Sequence, residues 1–357
     1  MLSIFSACGT ADDGQTSGDT AQQDIAGDTV VASVAGADIT WGQVCYWMYY
    51  QMSEYYNQYS TTPNLSVELS EGYTYGDHML DTAIDKMVRY RVIESYAKEN
   101  GIELVTADKA GVDENIKNMV ERYGSQEAYE QSLARMNATA DDMRTIQELS
   151  FLSQRVYKTL YGPEGDKLSE EALADYAETN GYVMAKLILF LKIDDTGAAL
   201  DAAALEKAKT AADETAAELE SWSAAGSSYA TLEDCFTALM SDKSEDASLE
   251  YFKNGYIIGP DDMQAEIYDA VSGLGEGEIS GVIDTASCYA LVMRVPMDYD
   301  ATPYSYKSYA TYGYNYSFRQ LAASALFDTQ VQGWVDSADV EKKPILAEIN
   351  TADYFSR

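Results

Sequence analysis

Histidine is nearly absent from this chain: among 357 residues there is one, His78. A lone imidazole without a serine or cysteine motif beside it is expected at a surface or helix start, and it excludes histidine-rich metal centres. The four cysteines, Cys8, Cys45, Cys235 and Cys288, show no C-x-x-C spacing. Neither a zinc site nor a disulfide framework is expected from them, and Cys45, Cys235 and Cys288 are read as small buried hydrophobes. Positive charge is scarce as well, with 24 Lys and Arg against 59 Asp and Glu, a formal charge of −35. Such a surface repels phosphate backbones, so no nucleic acid partner is expected. No run reaches the eighteen or more apolar residues of a spanning helix, and no D-x-[DN]-x-[DN]-G calcium loop is present. No metal and no cofactor is expected.

What is present is a 46% apolar content and enough length for about two domains. Phe5-Ser6-Ala7-Cys8-Gly9 resembles a bacterial lipobox, which implies lipidation at Cys8 and an extracytoplasmic, membrane-anchored location. Met1 to Ala7 is too short to hold both the basic start and the apolar core of a signal peptide, so the natural start is expected upstream. Thr10 to Asp28 is built from small and polar residues. It buries too little to offset its ordering entropy and reads as a flexible tether of roughly 25 Å.

Val30 to Val34 reads as a strand, Ala35 to Asp38 as a turn, and Thr40 as the cap of an aromatic helix carrying Trp41, Tyr46, Trp47, Tyr49 and Tyr50. These rings cannot all face inward on one helix, so some are expected at the surface. Leu80, Ala83, Ile84, Met87 and Val88 recur at three- and four-residue steps, predicting an amphipathic helix over 77–100. Further helices are expected over 106–123, 125–136 and 139–160, each opened by a Ser or Thr cap, then a short one from Ser169. Beyond Pro296 comes a tyrosine-rich stretch, Tyr304 to Tyr316, then a helix from Ser317 to Val335 and a final extended segment from Ala338.

The stretch from Val183 to Arg294 organises the chain. It opens on the apolar run V-M-A-K-L-I-L-F-L and closes on C-Y-A-L-V-M-R-V, each of the length and branching of a buried strand. Between them lie two helix patterns, the segment L-E-Y-F-K-N-G, a helix around M-Q-A-E-I-Y-D-A, and a turn-plus-strand G-L-G-E-G-E-I-S-G-V-I-D-T. The predicted order is β-α-α-β-α-β-β. Met263, Ile267, Ala270 and Leu274, then Gly277-Glu278-Ile279-Ser280-Gly281, then Thr285 and Ser287, with Tyr251-Phe252 and Gly255 upstream, resemble the parvulin family of peptidyl-prolyl cis-trans isomerases. The closest likeness is to the module of bacterial extracytoplasmic foldases, and the strand, turn and aromatic helix near residue 30 resemble the chaperone domain that accompanies it.

By that resemblance Met263, Ile267, Phe252, Gln264, Thr285 and Ser287 form a substrate-binding site for a proline-containing peptide. The catalytic residues are left unknown, because two departures fall on them. Parvulins place one His in the first strand and one in the last, where this chain has Leu187 and Ala290. The usual Cys or Asp falls near Lys243, and the acidic loop before the pocket is shortened to Glu245-Asp246-Ala247-Ser248. Turning an X-Pro bond breaks no covalent bond, and its barrier of about 18–20 kcal/mol comes from amide resonance. An apolar wall that favours the twisted amide can lower it without nucleophile or metal.

The expected fold class is α+β: a mostly helical chaperone domain with an inserted parvulin-like domain, a small antiparallel-type sheet flanked by helices. Residues 1–29 are the signal remnant and tether, 30–180 the first part of the chaperone domain, 181–296 the parvulin-like domain, and 297–357 the segment completing the chaperone domain. The expected function is a foldase that binds unfolded secreted polypeptides and isomerises X-Pro bonds, if only weakly. The alternatives are a non-catalytic holdase of the same architecture and, less favoured, a surface solute- or glycan-binding lipoprotein. Homodimerisation is left open.

Overall fold

The structure is a computed structural model that describes residues 25–223, 228–306 and 315–355. Cys8, the tether up to residue 24, and Tyr309, Tyr312 and Tyr314 lie outside the described residues. The chain divides into two compact units, one of residues 1–160 with 327–357 and one of residues 161–326. The fold class is α+β.

The first unit opens on a hairpin of β1 (Val30–Val34) and β2 (Ala37–Thr40). Ala35 and Gly36 both take positive φ, +52° and +76°, the turn geometry that matches the twist of paired strands. The residues expected as a turn up to Asp38 thus already include the returning strand. Thr40 caps α1 (Trp41–Tyr59) in a capping box with Gln43. A two-stranded ribbon, β3 (Glu68–Ser70) and β4 (Tyr73–Thr74), leads into α2 (Tyr75–Glu99), capped by Thr74 and Asp77. Helices α3 (Thr106–Tyr123), α4 (Gln126–Arg135) and α5 (Ala140–Tyr161) follow. Ser125 and Thr139 cap as expected, accepting from Ala128 N and Asp142 N. Thr106 does not: it is the first helical residue, and Val105 N is satisfied instead by the Asp108 carboxylate.

In the second unit α6 (Glu170–Thr179) precedes β5 (Val183–Leu191), and α7 (Ala202–Glu220), α8 (Leu232–Lys243), β6 (Tyr256–Ile258), α9 (Ala265–Gly273), β7 (Ile283–Asp284) and β8 (Cys288–Val295) complete it. The element order is the one predicted, with one displacement. Leu249–Tyr251 is a turn of 3-10 helix, and the strand lies just beyond the segment expected to hold it, where Tyr256, Ile257 and Ile258 supply a buried apolar run. Gly255, at φ +122° and with Ala185 O 3.1 Å from where a Cβ would sit, makes that close approach to β5 feasible. The sheet order is β6-β5-β8-β7, all antiparallel, and β5 and β8 lie side by side from Met184↔Val295 to Leu191↔Cys288.

The sheet is covered on both faces, so its strands read as continuous apolar runs while their side chains still alternate. Met184, Ile188, Phe190, Tyr289, Leu291 and Met293 pack with Phe236, Leu239 and Met240 of α8 and Ala212 and Leu219 of α7. Val183, Ala185, Leu187, Cys288, Ala290 and Val292 face the other way, with Tyr256, Ile258 and Ile267 and Val271 of α9. Leu173 and Ala177 of α6 and Phe318 and Ala322 join the first of these cores. This is why the compact unit starts before residue 181 and runs past 296, the limits expected from sequence.

The chain closes with α10 (Phe318–Ser337), β9 (Val340–Lys342) and α11 (Thr351–Phe355). In the first unit β9 pairs with the free side of β1, and Tyr354 accepts a 2.7 Å hydrogen bond from Trp41 Nε1. Trp41 is buried, whereas Tyr46, Trp47, Tyr49 and Tyr50 are half-buried, and the exposed rings of α1 are Tyr56 and Tyr59. Cys45, Cys235 and Cys288 are buried free thiols, and His78 is exposed. No helix among the described residues is long and apolar enough to cross a membrane.

Candidate functional site

The residues expected to form a proline pocket lie on the α9 side of the sheet in the second unit. Strand alternation puts Leu187 and Ala290 on that face, 1% and 0% exposed. Ile267 and Phe252 join the same core at 4% exposure each, and Met263, just ahead of α9, covers them half-buried. The two positions of the family's imidazole pair are therefore apolar, dry and in the same core as the wall.

The Gly-Glu-x-Ser motif has a structural task. Gly277 takes φ +83°, Glu278 accepts from Gly275 N at 2.7 Å, and Gly277 N donates to Arg294 O. Ser280 Oγ accepts from Val292 N at 3.1 Å, so the turn is stitched along β8 and leads into β7. Thr285 is equally occupied: its hydroxyl accepts from Cys288 N at 3.0 Å and donates to Cys288 O at 2.9 Å, closing the β7–β8 turn. Ser287 Oγ accepts a hydrogen bond from Gln264 Nε2, which ties the start of α9 to that turn. Gln264 Oε1 is buried without a donor.

Lys243 does not join this set. It ends α8 and donates to Glu218 of α7 at 2.8 Å, on the helices that cover the other face. The residue brought to the wall is Asp246, three positions later, whose Oδ2 accepts from the Tyr256 hydroxyl at 2.5 Å. Asp246 Oδ1 also accepts from Ser248 N, fixing the short loop. The loop doubles as an edge cover for β5, since Glu245 N donates to Leu189 O and the Glu245 carboxylate accepts from Leu191 N.

Phe252 stacks on Tyr256 at 4.6 Å between centroids with 25° between the planes. Tyr304 leans on both, 5.5 Å from Phe252 and 6.0 Å from Tyr256. Sequence reading named Phe252 but missed Tyr256, Asp246 and Tyr304 as its neighbours. The signals were there: Tyr256 follows the named Gly255, Asp246 sits in the shortened acidic loop, and Tyr304 opens the tyrosine run. A cavity of about 410 Å³ opens beside Phe252, lined by Glu250, Tyr251, Lys253, Asp298 and Thr302 among others.

No family model matches the chain, and no curated protein matches it. Solved structures to which it is similar include foldases and SurA-like chaperones. The foldase protein PrsA from Streptococcus pneumoniae aligns at 16% identity over 81% of this chain and 97% of that one, with a TM-score of 0.29. PrsA from Bacillus subtilis aligns at 14% identity over 93% and 94%, with a TM-score of 0.24. A structure from work on SurA-like chaperones of Campylobacter jejuni aligns at 12% identity over 88% and 99%, with a TM-score of 0.23.

Among the described residues the site holds no imidazole, its one thiol, Cys288, is buried, and the Lys253 ammonium lies at the cavity. It offers an aromatic and aliphatic wall, one carboxylate bonded to a phenol, and one amide oxygen awaiting a donor.

Proposed function

We propose that the chain is an extracytoplasmic chaperone of the parvulin foldase type, lipid-anchored through Cys8, that binds unfolded secreted polypeptides without accelerating prolyl isomerisation. The family resemblance of the sequence motifs supports the class. One observation carries the missing acceleration: Leu187 and Ala290, where the imidazole pair is expected, are 1% and 0% exposed in an apolar core. Neither side chain can hydrogen-bond the twisted amide, so whatever an imidazole pair would add to transition-state binding is missing. Phe252, Met263 and Ile267 are read as the proline-facing wall, with Gln264, Thr285 and Ser287 holding its rim.

A weak isomerase is the second reading, favoured by Gln264 Oε1, a buried acceptor with no donor of its own. An extended ligand whose entry uncovers this enclosed oxygen supplies it a backbone N–H. The two readings separate when cis-to-trans relaxation of an X-Pro peptide is followed alongside light scattering from an unfolded client. Suppressed scattering with an unchanged relaxation rate is expected. Acceleration proportional to protein concentration moves the chain into the isomerase class, and unsuppressed scattering removes it from the chaperones.

A further inference from the structure

The segment following β8 ends on the wall just described. Its base is anchored: Ala301 O accepts from Phe318 N at 2.8 Å, Tyr299 O accepts from Arg319 N at 2.9 Å, and the Arg319 guanidinium donates to Asp300 at 2.9 Å. Its tip is Thr302-Pro303-Tyr304. Pro303 is buried, Tyr304 is half-buried with its ring on Phe252 and Tyr256, and Tyr306, 41% exposed, donates its N–H back to Pro303 O at 3.0 Å. Pro303, one of six prolines in the chain, is buried and directly precedes the ring that rests on the aromatic assigned to gripping proline.

We infer that Thr302-Pro303-Tyr304 is a built-in ligand of the parvulin-like wall, a tethered prolyl-aromatic peptide that an incoming polypeptide must displace. The inference rests on the polypeptide-binding reading and adds its regulation. Tyr304 makes ring contacts with Phe252 and Tyr256 and the Tyr306 N–H closes the turn, whereas residues 299–301 are tied to the start of α10. Anchored base and aromatic tip make an arm that can leave the wall without unpairing a strand. The cavity of about 410 Å³ shares both Phe252 and Thr302, so an approaching chain meets the wall and the arm together. A wall occupied by its own chain binds outside ligands with an affinity reduced by the fraction of time it is vacant.

The test uses the intact chain and the free hexapeptide Asp-Ala-Thr-Pro-Tyr-Ser, which copies residues 300–305. Tyr304→Ala should bind this peptide ~10-fold more tightly than the parent chain, and Tyr304→Phe should bind like the parent, because the ring is what occupies the site. In the unsubstituted chain, amide hydrogen exchange over residues 302–306 should quicken when peptide saturates. A folded Tyr304→Ala variant with unaltered affinity overturns the inference. If that variant fails to fold, unchanged protection over 302–306 at saturation overturns it instead. Where client aggregation is suppressed but the peptide results are negative, the built-in ligand alone is wrong; where neither client nor peptide binds, the polypeptide-binding reading falls and takes the arm with it.

Discussion

The two faces of the four-stranded sheet use the same strands and close in different ways. One face lies under α7 and α8, of 19 and 12 residues, each with a side-chain N-cap from Asp201 or Thr231. It even absorbs a lysine: Lys186, mid-strand and 7% exposed, reaches Glu233 at 2.6 Å and Thr237 at 2.8 Å. The other face is covered by α9, of nine residues and with no side-chain cap, by the loop carrying Asp246 and Phe252, and by the ring of Tyr304. The first cover is built from long capped helices, the second from short pieces, and the proposed binding wall lies under the second.

The largest expected effect breaks the first cover. Phe236 is fully buried on α8, and Phe236→Ala should cost ~3–5 kcal/mol, read as a lowered denaturation midpoint with unchanged slope. Were the loss no larger than that of Tyr304→Ala, the two faces would not differ in the way described. Next comes the double change Leu187→His with Ala290→His. It introduces bulk and unpaired polar atoms at sites with 1% and 0% exposure, and should cost ~2–4 kcal/mol. It should also raise the prolyl relaxation rate. A folded double variant with an unchanged rate would show that the missing pair is not what limits the site.

A smaller effect sharpens the contrast. Tyr304→Ala removes a half-buried ring with two aromatic neighbours, so the stability loss should stay near ~1 kcal/mol while ligand affinity rises. Loss of stability on the scale of Phe236→Ala would make Tyr304 a core residue.

The sheet and its helices were legible because strands buried on both faces read as unbroken apolar runs, V-M-A-K-L-I-L-F-L and C-Y-A-L-V-M-R-V, and the Gly-Glu-x-Ser turn has a fixed backbone need at Gly277. Short elements were less so. β6 has three residues, too few for any periodicity, and was displaced toward Leu249–Tyr251. Of the residues expected to form the wall, Phe252, Met263 and Ile267 do share one core, but Lys243 was set where Asp246 lies, because alignment across a shortened loop loses register. Tyr304 was unreadable as a neighbour of Phe252, since more than fifty positions separate them and no pattern in a tyrosine-rich stretch says which ring turns inward.

The smallest expected effect tests the first cover by pH. Tyr182, just ahead of β5, packs its ring against Phe318 at 5.1 Å and Tyr176 at 6.3 Å. Burial, foremost, and then the neighbouring Tyr306, Tyr176 and Asp262 push its hydroxyl up to about 12. A phenol in the unfolded chain ionises near 10. The folded state therefore holds its proton where the unfolded state has lost it, and stability from this group, full below pH 10, should drain away as pH rises towards 12. Tyr182→Phe should flatten the fall in denaturation midpoint over that window and leave the midpoint at pH 7 nearly unaltered. An identical alkaline slope in both proteins would mean that the ring is wet, and that the cover over this face is looser than its long helices imply.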